Sequence, residues 1–245
     1  MITFFRKIRQ KLIDSGSVTK YLLYAMGEIL LVVIGILIAL QVNNWNEERI
    51  NNKKEYDYMI QLKQELEENI DFINGFYLDR YDRKVQALEM VRDFYHGNYL
   101  IKDSTNFAIE VGYGAVFATK TFRTSTAVFE EIISTGNLAL IKDEKLRRLL
   151  IEYYDWSSSL LEALKEYDSG YLIAINSYRP FNNLYSERID ARDATYLIEK
   201  VKTDKFYQIA TGELTYAHQA IDFMKTIKMD ALEIIVIIDE LLEAK

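Results

Sequence analysis

From Tyr21 to Val42 the only positions that are not large apolar residues or alanine are Gly27, Glu28, Gly35 and Gln41, a run of 22 residues with one charge. A helix rises about 1.5 Å per residue, so this run matches the roughly 30 Å hydrocarbon core of a bilayer and predicts a transmembrane helix. Beyond it the pattern changes. Apolar residues recur in steps of three and four at Met59, Leu62, Leu66, Ile70, Ile73, Tyr77, Tyr81, Val85, Leu88 and Val91, one face of a long helix. The Asn74-Gly75 pair predicts a kink, and His96-Gly97-Asn98 predicts a C-terminal stop. Residues 99–124 mix glycine with aromatics and have neither period, which predicts loop and short helix.

A helix predicted from about Ser125 stops at Gly136, and Asp143 is set to cap another that runs on towards Arg179-Pro180, where the only proline marks a turn. Asp193 is placed to cap a short helix. From Asp204 to Glu243 the long pattern returns, through Phe206, Ile209, Leu214, Ala217, Ile221, Met224, Ile227, Ala231 and Ile234. Three long helices and a short one predict an all-α fold, an N-terminal transmembrane helix continuing into an antiparallel, four-helix-type extracytoplasmic bundle. The expected parts are a basic amphipathic tail (1–20), the span (21–42), a helical stalk (43–58) and the bundle domain (59–245).

Charge gives the span a direction. Arg6, Lys7, Arg9, Lys11 and Lys20 precede it against Asp14 alone, so the positive-inside bias predicts a cytoplasmic N-terminus. The run is too long for a signal-peptide core and lacks a small-x-small exit, which predicts an uncleaved, single-pass anchor in the inner membrane with a periplasmic domain. Phe4 and Phe5 with the interleaved basic residues form an interfacial helix, and Trp45 suits the opposite interface. With +4 on residues 1–20 and −1 at Glu28, the whole-chain charge of −7 leaves −10 on the remainder. An acidic outer part argues against nucleic acid as a partner. The chain has no cysteine, which excludes disulfides, thiol nucleophiles and thiolate metal sites.

The stretches FFRKIRQKL and KYLLYAMGEILLVVIGILIALQVNNWNEER closely resemble the start of a large bacterial family of uncharacterised, single-span membrane proteins. FEEIISTGNLALIKDEKLRRLLIEYY, residues 129–154, is similar to that family's central helix, Ser-x-Gly turn and next helix. The resemblance implies a single N-terminal anchor and a mostly helical outer domain. It implies no activity and carries over no catalytic residue, because the family is defined as a domain of unknown function.

Gly27, Gly35 and Ala39 share one helix face, and Gly35-Ile-Leu-Ile-Ala39 is a small-xxx-small pattern through which helix backbones can approach. With Glu28, expensive in hydrocarbon unless paired or near the headgroups, they are the candidate residues for assembly in the membrane. The 18 tyrosines are read mainly as packing residues. Where a pocket exists, Arg123, Tyr153, Tyr154 and Trp156 would supply an aromatic wall with one cation, suited to a small anion. The sequence contains no Gly-x-Ser-x-Gly elbow, P-loop, dinucleotide fingerprint or His-Glu-x-x-His, and no catalytic, metal or cofactor residues are assigned. The leading expectation is a non-enzymatic, membrane-anchored scaffold or interaction protein. Its partners would be the lipid bilayer and further copies of itself, or a larger membrane complex. The alternative is a periplasmic ligand-sensing domain acting through a partner, with a membrane-tethered enzyme third.

Overall fold

A computed structural model describes residues 18–116, 124–178 and 190–244, which form helices joined by short turns, with no strand among them. Phe4, Phe5, Arg6, Lys7, Arg9, Lys11, Arg123 and the Arg179-Pro180 turn lie outside the described residues. Helix α1 is Val18–Phe72, followed by a π-helical segment at Ile73–Leu78, α2 at Asp79–Tyr95 and α3 at Ser104–Tyr113. Then come α4 (Ala127–Ser134), a 3-10 turn (Asn137–Leu140), α5 (Glu144–Lys165), α6 (Gly170–Ser177), α7 (Ala191–Val201) and α8 (Asp204–Glu243).

Residues up to Glu55 form one compact unit and those from Tyr56 onward another. In the first, the N-terminal helix is long and apolar enough to cross a membrane. Every residue from Ile29 to Ile50 is exposed among the described residues.

The second unit is built around α8. Its buried stripe, Phe206, Ala210, Glu213, Ala217, Ala220, Met224, Ile227, Ala231, Ile234 and Ile238, alternates steps of four and three over its whole length. Helices α2, α5, α6 and α7 pack on α8, and α3 packs on α2 and α7. Met59, Leu62, Leu66 and Ile73 are fully buried on the preceding helical run, each contributing roughly 1.5–3 kcal/mol by burial. Partners across the core pair in inverse order: Lys63 with Asp239, Asn74 with Lys228, Lys84 with Glu213 and Tyr95 with Asp204.

Local signals explain most element ends. Gly97 adopts the left-handed conformation (φ 78°) just after α2, and Gly136 does so (φ 71°) after α4. The Asp143 carboxylate accepts from the Leu146 amide at 2.7 Å and caps α5, and Asp103 likewise caps α3. Asn74-Gly75 falls inside the π-helical segment, so the expected kink takes the form of a widened turn.

Two expectations need correction. The helix expected to run unbroken from Asp143 towards Arg179 stops at Lys165 and restarts at Gly170, because Ser169 takes an extended conformation and accepts from the Leu172 amide as a new N-cap. The cap of α7 is Asp190 rather than Asp193. Asp190 accepts from the Arg192 amide, and Asp193 instead lies in the first turn, where its charge favours the helix N-terminus.

The Gly112-Tyr-Gly114 sequence has a packing role. A Cβ on Gly114 would stand 2.9 Å from Leu88 Cδ2 and 3.0 Å from the Tyr171 ring and hydroxyl, whereas one on Gly212, in the exposed face of α8, would meet nothing within 4 Å. Gly114→Ala is therefore expected to destabilise the domain by about 1–3 kcal/mol through overpacking, and Gly212→Ala to stabilise it by about 0.5–1 kcal/mol. Denaturant unfolding of the full chain followed by circular dichroism checks both signs.

Candidate functional site

The interior of the second unit contains a complete ion pair. Lys84 on α2 and Glu213 on α8 have no exposed side-chain surface and are directly hydrogen-bonded. The Lys84 ammonium also donates to the Val116 carbonyl at 2.9 Å, just beyond α3. The second Glu213 oxygen accepts from Ser169 Oγ at 2.5 Å and from the Tyr167 hydroxyl at 3.1 Å. Desolvation lowers the Lys84 pKa, and the Glu213 carboxylate opposes that shift. The Tyr81, Tyr167 and Tyr216 rings surround the pair, the last two stacked at 3.7 Å, and burial pushes all three phenols upward, Tyr216 to about 12. Because Ser169 both caps α6 and donates to Glu213, the ion pair fixes the break between α5 and α6.

A second buried carboxylate performs a similar task nearer the start of the unit. Glu65 accepts from the Tyr154 hydroxyl at 2.6 Å, from Ser125 Oγ at 3.0 Å and from the Val128 amide at 2.9 Å, anchoring the first turn of α4. Asn69 completes the clamp by exchanging two hydrogen bonds with the Ser125 backbone. Neither Lys84, Glu213 nor Glu65 was among the residues the sequence singled out. Their signal was a charge standing in an apolar stripe: Lys84 lies three positions after Tyr81 and four before Leu88, and Glu213 lies between Ala210 and Ala217.

The expected aromatic pocket is divided. Tyr154 is buried against Phe129, with stacked rings 4.1 Å apart, and faces Glu65. Tyr153 and Trp156 instead line a cavity of about 160 Å³ between α5 and α8, with Leu149 and Ile234 as its apolar walls and Glu152, Asp230 and Glu233 as its polar ones. The described lining thus carries three carboxylates where a cation was expected, a field that disfavours an anion. Burial raises the Asp230 pKa and the neighbouring Glu233 adds to the rise.

In the first unit Gly27, Gly35 and Ala39 are exposed and Glu28 is half-buried. A Cβ on either glycine would meet nothing within 4 Å, so among the described residues their smallness answers no packing need. Trp45 is 65 % exposed.

A raised carboxylate pKa means that Asp230 favours the protonated folded state, so its contribution to stability is fullest below the ordinary aspartate pKa and is lost as pH rises through the raised value. Asp230→Asn is expected to raise the thermal midpoint at neutral pH, with the advantage vanishing below about pH 4. Thermal unfolding across that range checks the sign.

The model of a family of unknown function, DUF6090, matches residues 28–203. No curated protein and no solved structure matches the chain. The matched span begins at Glu28, so it contains most of the apolar helix and the 129–154 stretch but not the basic tail. The chain belongs to the DUF6090 family.

Proposed function

We propose that this member of the DUF6090 family is a non-enzymatic scaffold or interaction protein, anchored in the inner membrane by residues 21–42 and associating with copies of itself. The observation that carries the reading is the uninterrupted exposure of Ile29 to Ile50, most of it large apolar side chains that water would not tolerate and that lipid or another helix must cover. Gly27, Gly35 and Ala39 leave a flat track along that surface, with Glu28 on it as a polar determinant of pairing. The N-terminus lies in the cytoplasm in this reading, because the tail is basic, and the acidic helical domain lies in the periplasm. The inverse order of partners across the core supports an antiparallel, four-helix-type arrangement for that domain.

The domain adds an interaction surface of its own. Met229, Leu232 and Val236 are exposed at steps of three and four on α8, beside the buried stripe. An apolar line on an otherwise acidic helical surface suits docking to a protein, and −10 of net charge outside the tail and span repels nucleic acid. The second reading, a ligand-sensing domain, is favoured by the cavity between α5 and α8.

Native mass measurement of the full chain in mild detergent tests the scaffold reading. The expected result is a discrete homo-oligomer, or a stoichiometric complex, that falls apart when Gly35→Leu and Ala39→Leu are combined. A monomer with no co-purifying protein would overturn it.

A further inference from the structure

The cavity between α5 and α8 is a mixed site rather than a patch of surface charge. Its aromatic side is Trp156, half of whose surface is exposed, and Tyr153, which is 3 % exposed. The Tyr153 hydroxyl stands beside Asn69 and Ser157, neither of which lines the cavity, so Tyr153 contributes its ring rather than a polar group to the lining. Its polar side is three carboxylates. Glu152 and Glu233 reach Arg148 and Lys145 only at 3.6 and 3.7 Å through exposed side chains, contacts that solvent screens and that another cation can displace. Asp230 pairs with no cation among the described residues.

The chemistry narrows the occupant. Among the described residues no three carboxylates or histidines converge as they would on a metal ion, so the negative field is spread around the opening. Aromatic faces beside spread carboxylates attract a diffuse, poorly hydrated cation through the ring quadrupole. The apolar walls, Leu149 and Ile234, accept carbon substituents. About 160 Å³ admits a group of several heavy atoms.

We propose that this cavity binds a small organic ammonium ion, held by Asp230 and Glu233 with its carbon substituents against Trp156 and Tyr153. The site goes beyond the scaffold reading and stands independently of it, since a scaffold domain and a sensor domain can each carry it. The same chemistry is offered by a free amine and by the ammonium headgroup of a lipid.

Trp156 is one of only two tryptophans, so Trp45→Phe in the full chain makes its fluorescence a direct reporter. In an uncharged detergent, choline and ethanolamine are titrated at constant ionic strength. The neutral isostere of choline, with carbon in place of nitrogen, is the control. The expected result is a saturable change with the cations and none with the isostere, and about a tenfold weaker affinity in Asp230→Asn. Because Asp230→Asn is expected to stabilise the fold at neutral pH, weaker binding there is not a folding defect. Saturation by free choline or ethanolamine assigns a soluble ligand; saturation only when phosphatidylethanolamine is added to the micelles assigns a headgroup, and either supports the site. No saturation by about 100 mM with any of them, an equal response to the isostere, or unchanged affinity in Asp230→Asn would overturn it.

Discussion

The helical domain depends on one charge pair that has been removed from water. An isolated ammonium or carboxylate in a protein interior costs several kcal/mol, so Lys84 and Glu213 are tolerable only together and only with their remaining donor and acceptor sites filled. The Val116 carbonyl accepts a second ammonium N–H, and Tyr167 and Ser169 donate to the second carboxylate oxygen. Four chain segments distant in sequence are therefore held to one point: α2, the end of α3, the α5–α6 break and α8. Apolar packing around that point is permissive, because neighbouring leucines and alanines accept small slips of one helix along another. A hydrogen-bonded ion pair does not, and it selects one register from those the apolar stripes would allow.

Glu65 and Asn69 repeat the principle at a second level, where a buried carboxylate caps a helix that is not its own. In both places acidic side chains hold loops and helix starts against long helices, and tyrosine supplies much of the surrounding volume. Tyr77, Tyr81 and Tyr171 are fully buried, and Tyr171 and Tyr216 donate to the Val111 and Leu164 carbonyls. A phenol brings both area and a donor, which suits a core that contains charges.

Much of this architecture was legible in residue spacing. The stops at Gly97 and Gly136 and the cap at Asp143 follow from properties of single residues, and the structure has them where the pattern placed them. The long helices follow from three-and-four spacing, although the buried face of α8 is shifted towards Ala210 and Glu213 from the expected Ile209. The break before Gly170 was hidden, because YDSGY lies between two strongly apolar helical runs and the partner that fixes Ser169, Glu213, is 44 residues away. The ion pair was hidden for a related reason. A lysine in a helical stripe reads as an interruption until a glutamate appears opposite it, and only the fold brings the two together. The pocket residues were half legible: aromatic clustering located Tyr153 and Trp156, next to Glu152 on the same helix, but Asp230 and Glu233 come from α8.

The apolar helix and the acidic domain solve different physical problems. One must be covered from outside by lipid or protein, and the other is satisfied internally around a buried charge. A domain pinned in this way is suited to present fixed surfaces. The direct test is a double-mutant cycle on the pair, with unfolding free energies measured for Lys84→Met, Glu213→Leu and the combination. If the pair sets the register of the domain, each single change costs about 3–5 kcal/mol and the double change costs far less than their sum. Single losses within about 1 kcal/mol of zero, or additive ones, would contradict a structure organised around this contact.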